Sequence, residues 1–267
     1  MSATTAEGQA AARPAGRGVL VPRLIGTAAI LGAWEAASGP LIDEFWVSRP
    51  SLIGARLWQL AISGDLWWHA SATGWQALLG LLLGLVVGVA IGVAFHALPR
   101  VADALDPLVM ALYSVPRIAF APLFIIWFGI GLLSKVMMAF SMAVFVFLLN
   151  THQGLKEVDK DLLDLARSMR ASRWYRFSRI QVPAVLPWIF GGARIAIGLA
   201  LIGSVLGELL GSNRGLGWYV ERAGGTLDTT GVFAGIFALM ALAVIANEAV
   251  RLLERAVGTG RAGQPVA

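Results

Sequence analysis

The chain has no cysteine and little charge: none of its 267 residues is Cys, and 14% are Asp, Glu, Lys or Arg. The first absence excludes disulfides, thiolate chemistry and Cys-ligated metal. Also missing are a G-x-x-x-x-G-K-[ST] loop to cradle a nucleotide, an H-E-x-x-H zinc motif and a G-x-S-x-G nucleophile turn. The three histidines, His69, His96 and His152, lie far apart near the ends of apolar runs, which argues against a metal site or imidazole catalysis. No catalytic residue, metal or cofactor is therefore expected in this chain. The strict alternation of barrel strands is absent as well.

What is present is apolar. Hydrophobic residues make up 57% of the chain, mean hydropathy is +0.73, and several runs approach the length of a bilayer crossing. In lipid the backbone must satisfy its own hydrogen bonds, so these runs predict an all-α, polytopic membrane protein. About six transmembrane helices are expected, near residues 24–37, 75–98, 108–133, 135–150, 187–210 and 232–250. Lys and Arg crowd residues 13–23, 156–179 and 251–261, whereas Arg49, Arg56, Arg214 and Arg222 fall on the other side. The positive-inside rule then puts both termini in the cytoplasm and explains the basic pI without a nucleic-acid partner.

The chain divides into a disordered cytoplasmic tail at 1–18, a first span with an outer connection at 19–73, a core at 74–255 and a second cytoplasmic tail at 256–267. Trp46, Trp58, Trp67 and Trp68 of the connection suit a membrane interface. Gly80, Gly84, Gly88 and Gly92, and likewise Gly203, Gly207 and Gly211, recur every fourth residue, which clears one helix face for close packing, within the chain sooner than between subunits. Pro116 and Pro122 predict a kink or break in the third span. Arg194 and Glu208 are charges inside the fifth span, 14 residues or about 21 Å apart. Each either faces the bundle interior or snorkels toward its nearer headgroup layer.

Between spans four and five, residues 151–187 form a cytoplasmic segment too long for a simple connection. Leu162, Leu163, Leu165, Ala166 and Met169 make one apolar helical face, and Trp174, Phe177 and Ile180 another. Two short amphipathic helices with a turn near Arg170 are expected.

The stretch "DLARSMRAS…VPAVLP" resembles the cytoplasmic signature of the inner-membrane permease subunits of ATP-binding-cassette importers, of the nitrate/sulfonate/taurine type. That signature is E-A-A, three residues, G, then a downstream L-P. Asp164 stands at its Glu position, Leu165 and Ala166 at its Ala positions, and Arg170 at its Gly position, where glycine would relieve a turn. "PRIAFAPLFIIWFGIG", "LLNTHQGLKEVD", "GGARIAIGLALIG" and "GELLGSNRGLGW" resemble the same group in the same order.

The resemblance implies a permease subunit that moves a small solute (sulfonate, taurine, nitrate or a related compound) by alternating access. Energy would come from two separate ATPase subunits that bind ATP and Mg. A second permease copy, as a homodimer, an extracytoplasmic solute-binding protein and membrane lipid are the other implied partners. Asp164, Ala166, Met169, Arg170, Ala171, Trp174, Pro183 and Pro187 are the expected ATPase-coupling residues, and Asn150, Arg194 and Glu208 the expected pathway or gate residues. The competing reading is an ion-gradient-driven secondary transporter, which calls for buried mid-span carboxylates and repeated halves; neither is clear in the sequence.

Overall fold

The computed structural model describes residues 20–257, so the tail expected at 1–18, and that at 256–267 beyond residue 257, lie outside the described residues. Helix α1 (Leu20–Ala37) leads through α2 (Glu44–Val47) and α3 (Pro50–Ser63) to α4 (Asp65–Ala97). At 33 residues, α4 is about 50 Å long. Then come α5 (Pro99–Ser114), a 3-10 turn (Arg117–Phe120), α6 (Ala121–Phe128) and α7 (Leu132–Lys156). After α8 (Lys160–Ser168), α9 (Arg173–Arg176) passes through a π-helical turn (Phe177–Gln181) into α10 (Val182–Leu210). The last helices are α11 (Leu216–Gly225) and α12 (Thr229–Val257).

Four helical stretches among the described residues are long and apolar enough to cross a membrane: α4, α7, the continuous 38 residues from Arg173 to Leu210, and α12. The pair α5 and α6 makes a fifth if its halves count as one span, bent by 85°. The third span is thus broken where Pro116 was expected to act. Pro116 carries no N–H, and it drives Val115 into extended backbone (φ −67°, ψ 131°). Pro122 does no such damage, because it sits in the first turn of α6, where an N–H has no intrahelical partner.

Other boundaries differ from the sequence expectation as well: the second span was expected at 75–98, but its helix α4 already begins at Asp65, inside the stretch expected to be the outer connection, and α12 runs past both expected ends of the sixth span. The fourth span was expected at 135–150 and instead runs from Leu132 to Lys156. The fifth was expected to begin at Pro187, after a separate amphipathic helix, but that helix is the start of the span itself. Pro183 lies in the first turn of α10 and Pro187 inside it. The chain stays helical because the preceding π turn widens to an i→i−5 bond, Val182 N–H to the Phe177 carbonyl. Of the segment 151–187, only α8 stands free as a helix of its own.

Helix α7 forms the centre, gripped by the glycine faces of α4 and α10. A Cβ added at Gly84 would stand 2.9 Å from the Ala143 Cβ, and one at Gly203 2.7 Å from the Ala139 Cα. Ala139, Ala143, Ala196 and Ala200 are fully or almost fully buried between these helices, with Phe147 filling the space beside them. Lipid tails are as apolar as these side chains, so close van der Waals contact rather than burial from water holds the three helices together. The glycine faces serve packing within the chain, as expected. On the periphery, Trp34 of α1 packs against Phe233 and Phe237 of α12 at centroid distances of 5.5 and 6.2 Å.

Candidate functional site

At the end of the bundle that carries α8, the sequence makes a compact hinge. Asp159 caps α8, its side chain accepting the Asp161 N–H at 2.8 Å. The helix stops where Arg170 takes the left-handed conformation, φ +56°. There the Ala171 N–H bonds the Ala166 carbonyl and the Arg170 N–H the Arg167 carbonyl, both at 2.9 Å. These are the two bonds of a Schellman stop, whose left-handed position glycine prefers. Arg170 therefore adopts the backbone conformation that its signature position calls for, with a strained residue in place of an unstrained one. Ser172 then caps α9 by accepting the Tyr175 N–H at 3.1 Å.

The resulting surface is apolar and uncovered. Met169 is 75% exposed and Trp174 72%, and Leu162 and Leu165 are also exposed. Ala166 is buried beneath them and Ala171 half-buried, while Asp164 stays exposed in a 2.6 Å ion pair with Arg167. Pro183 is exposed and Pro187 half-buried. The expected coupling residues from Asp164 to Trp174 thus cluster around the α8 to α9 hinge, whereas Pro183 and Pro187 lie further on, in α10. A cavity of about 350 Å³ separates α8 from the bundle, lined by Lys156, Asp164, Arg167, His96 and Gln181 among others. His96 of α4 and Gln181 of the π turn are hydrogen-bonded across it at 3.1 Å. Trp188 of α10 packs over Gly154 of α7, where a Cβ would meet the indole at 2.6 Å.

At the opposite end, Glu208 is 1% exposed. Thr73 of α4 donates its hydroxyl to the carboxylate at 2.8 and 3.0 Å, and the Gly217 amide of α11 donates at 2.7 Å. The Thr73 oxygen in turn accepts the Leu216 N–H at 2.8 Å. Glu208 and Thr73 together meet the free amides of the first turn of α11, whose dipole favours an anion there. Gly215, at φ +126°, leaves no room for a side chain against this carboxylate. Ser204 donates to Gln76 at 2.9 Å one turn away. Lys135 is 4% exposed and gives its ammonium to the carbonyls of Gly131 (3.0 Å) and Gly211 (3.1 Å). Further out, Arg56 of α3 bonds Asp228 ahead of α12 at 2.6 Å, which raises the guanidinium pKa above its ordinary value.

Three gate residues named from the sequence stand apart. Asn150 donates to the Val146 carbonyl at 2.8 Å and borders Gly192 at the contact of α7 with α10. Arg194 is half exposed and pairs with Glu254 of α12, so it does not face the bundle interior. Glu208 does. Thr73, Gln76, Lys135 and Ser204 were missed as partners. Their spacing was a usable signal, since Thr73 and Gln76, or Ser204 and Glu208, share a helix face and interrupt apolar runs.

The family model for the binding-protein-dependent transport system inner membrane component matches residues 80–259. The chain is 37% identical over 229 residues to the riboflavin transport system permease protein RibX of Chloroflexus aurantiacus, covering 85% of each chain. It is 32% identical to the taurine transport system permease protein TauC of Escherichia coli, covering 86% of each. Its fold is similar to a chain of the MetNI methionine ABC transporter solved in inward-facing conformations, with a TM-score of 0.63 at 20% identity over 71% of this chain and 94% of that one.

Proposed function

This chain belongs to the family of binding-protein-dependent transport system inner membrane components, and from that premise we propose that two copies of it rock between inward- and outward-open states under the drive of two ATPase subunits. It is a multi-pass permease of an ATP-binding-cassette importer in the inner membrane, and ATP hydrolysis belongs to a separate subunit. An ATPase and a solute-binding protein are its partners. ATP and Mg bind on the ATPase side. The six-span reading takes α1 as the first crossing, puts both termini in the cytoplasm and surrounds the dimer with lipid.

The observation that carries this reading is the exposed apolar hinge of Met169 and Trp174, seated on a rigid path into the bundle. Large apolar and aromatic side chains left in water on an ordered turn are what a docking partner recognises. Because α9 continues without a break into α10, a push on Trp174 is transmitted along a 38-residue lever. Asn150, Arg194 and Glu208 then act as gate residues where helices meet: Asn150 lies beside Gly192 at the contact of α7 with α10, Arg194 ties α10 to α12, and Glu208 ties α10 to α4 and α11.

The solute is a sulfonate, taurine, nitrate or a related small compound. The relatives' names, one for riboflavin and one for taurine, differ in solute at comparable overall identity. The test is reconstitution with the importer's ATPase subunit. The wild-type chain should co-purify with that ATPase and show ATP-driven uptake, and Asp164→Arg should abolish both. Intact binding and uptake in that variant would refute the coupling assignment.

A further inference from the structure

Arg117 sits at the break in the third span, and its depth can be read from its neighbour. Its guanidinium lies 4.4 Å over the Phe145 ring. Phe145 is 13 residues from Leu132 and 11 from Lys156 on α7, about 20 and 16 Å along the helix axis. The cation is therefore near the middle of the bilayer, where an uncompensated charge is expensive and marks a functional site.

Its partners in the fold do not neutralise it. Arg117 donates to the Tyr113 carbonyl at 3.2 Å and faces an aromatic ring. Among the described residues it forms no ion pair. It is only half-buried, and Tyr113 beside it is 47% exposed. Four of the five N–H donors of a guanidinium remain for another group.

The broken span also leads somewhere. A cavity of about 890 Å³ at the α11 end is lined by Trp75, Gln76, Ile130, Lys135, Asn213 and Arg214 among others, and no carboxylate is in its wall. Ile130 follows α6 after Gly129, and α6 runs back from there to the turn that holds Arg117. The cavity bordered by Lys135 and Arg214 and the mid-depth cation are thus joined by one structural element.

We propose that Arg117 is the mid-membrane contact for an anionic group of the transported solute, a sulfonate or an oxyanion, and that the face of α5 and α6 beside it lines the path. This rests on the permease reading. A planar guanidinium suits such a group because it offers paired donors at a fixed spacing. The break exposes it at mid-depth without obliging a partner carboxylate to compete.

The chain is free of cysteine, so Tyr113→Cys places a single thiol beside the guanidinium. With the ATPase-bound complex in proteoliposomes, the thiol is challenged with the anionic ethylsulfonate and the cationic ethyltrimethylammonium methanethiosulfonates, each rate normalised to a free small thiol. The expected result is at least a fivefold preference for the anion, kept in Arg117→Lys and lost in Arg117→Gln, with 50 mM ethanesulfonate or nitrate slowing labelling at least twofold only when position 117 is cationic. No reaction with either reagent would mean a lipid-facing thiol and overturn the assignment. Equal normalised rates, or a preference indifferent to position 117, would overturn it as well. None of these readings needs turnover, whereas failure to bind the ATPase would sink the permease reading instead.

Discussion

The carboxylate of Glu208 on α10 accepts a 2.7 Å hydrogen bond from the Gly217 amide in the first turn of α11. One buried side chain therefore fixes the angle between a crossing helix and the short helix beyond it. Glu208→Ala would leave the Gly217 amide and the Thr73 hydroxyl unpaired and remove the anion nearest Lys135, a loss of about 3 kcal/mol. Glu208→Gln keeps one acceptor oxygen and should lose about half as much. Thermal unfolding of the detergent-solubilised chain would check the order wild type, Gln, Ala. An Ala variant as stable as the wild type would contradict it.

Arg170 occupies a left-handed position that glycine fills without strain. Arg170→Gly should stabilise the hinge by about 1 kcal/mol, and Arg170→Val, branched at Cβ, should weaken it further than the native arginine. Hydrogen exchange at the Ala171 amide, which closes the Schellman stop, reports this locally. Slower exchange in the glycine variant is the expected outcome.

Trp174 is exposed and holds little of the fold together, so Trp174→Ala should leave the melting temperature within a degree or two of wild type. Under the proposed coupling role its effect falls on docking. A buried aromatic anchor is worth about 2 kcal/mol, or roughly thirtyfold in affinity. Titration of the ATPase onto the solubilised permease measures it, and unchanged affinity would remove Trp174 from the interface.

Gly84 and Gly198 are both helical glycines, and they should respond in opposite directions. A methyl at Gly84 would meet the Ala143 Cβ at 2.9 Å, while one at Gly198 would meet nothing within 4 Å. Gly84→Ala should therefore destabilise by about 1–3 kcal/mol. Gly198→Ala should stabilise slightly through helix propensity, by up to about 1 kcal/mol. Measuring the two side by side separates packing from propensity.

Much of the hinge was legible because its chemistry is local. The sequence marks the neighbourhood of Arg170 as the turn, since a turn between two amphipathic stretches falls where the apolar faces change register. The break at Pro116 was legible for a similar reason: a missing donor acts on its own turn of helix. The junction of α9 with α10 was not. Two prolines and a change of polarity read as an ending, yet a π turn that ends two residues upstream of Pro183 carries the helix through. Past the junction, Trp188 of α10 packs over Gly154 of α7, far back in the chain, a contact that no local pattern displays.

By itself the sequence determined what acts over a few residues or over total composition: that the chain is helical and embedded in membrane, where glycine lets helices touch, and which stretch carries the coupling signature. Only the tertiary structure decided which polar groups meet. It separated Arg194, half exposed against Glu254, from Glu208, sealed by Thr73 and Gly217 from elements 135 and 9 residues away. It also placed Arg117 at mid-depth over Phe145. The physical reason is range. Backbone propensity and hydropathy are set within a turn or two of helix, whereas the energy of a charge in the membrane is set by whatever distant group the packed helices bring to it.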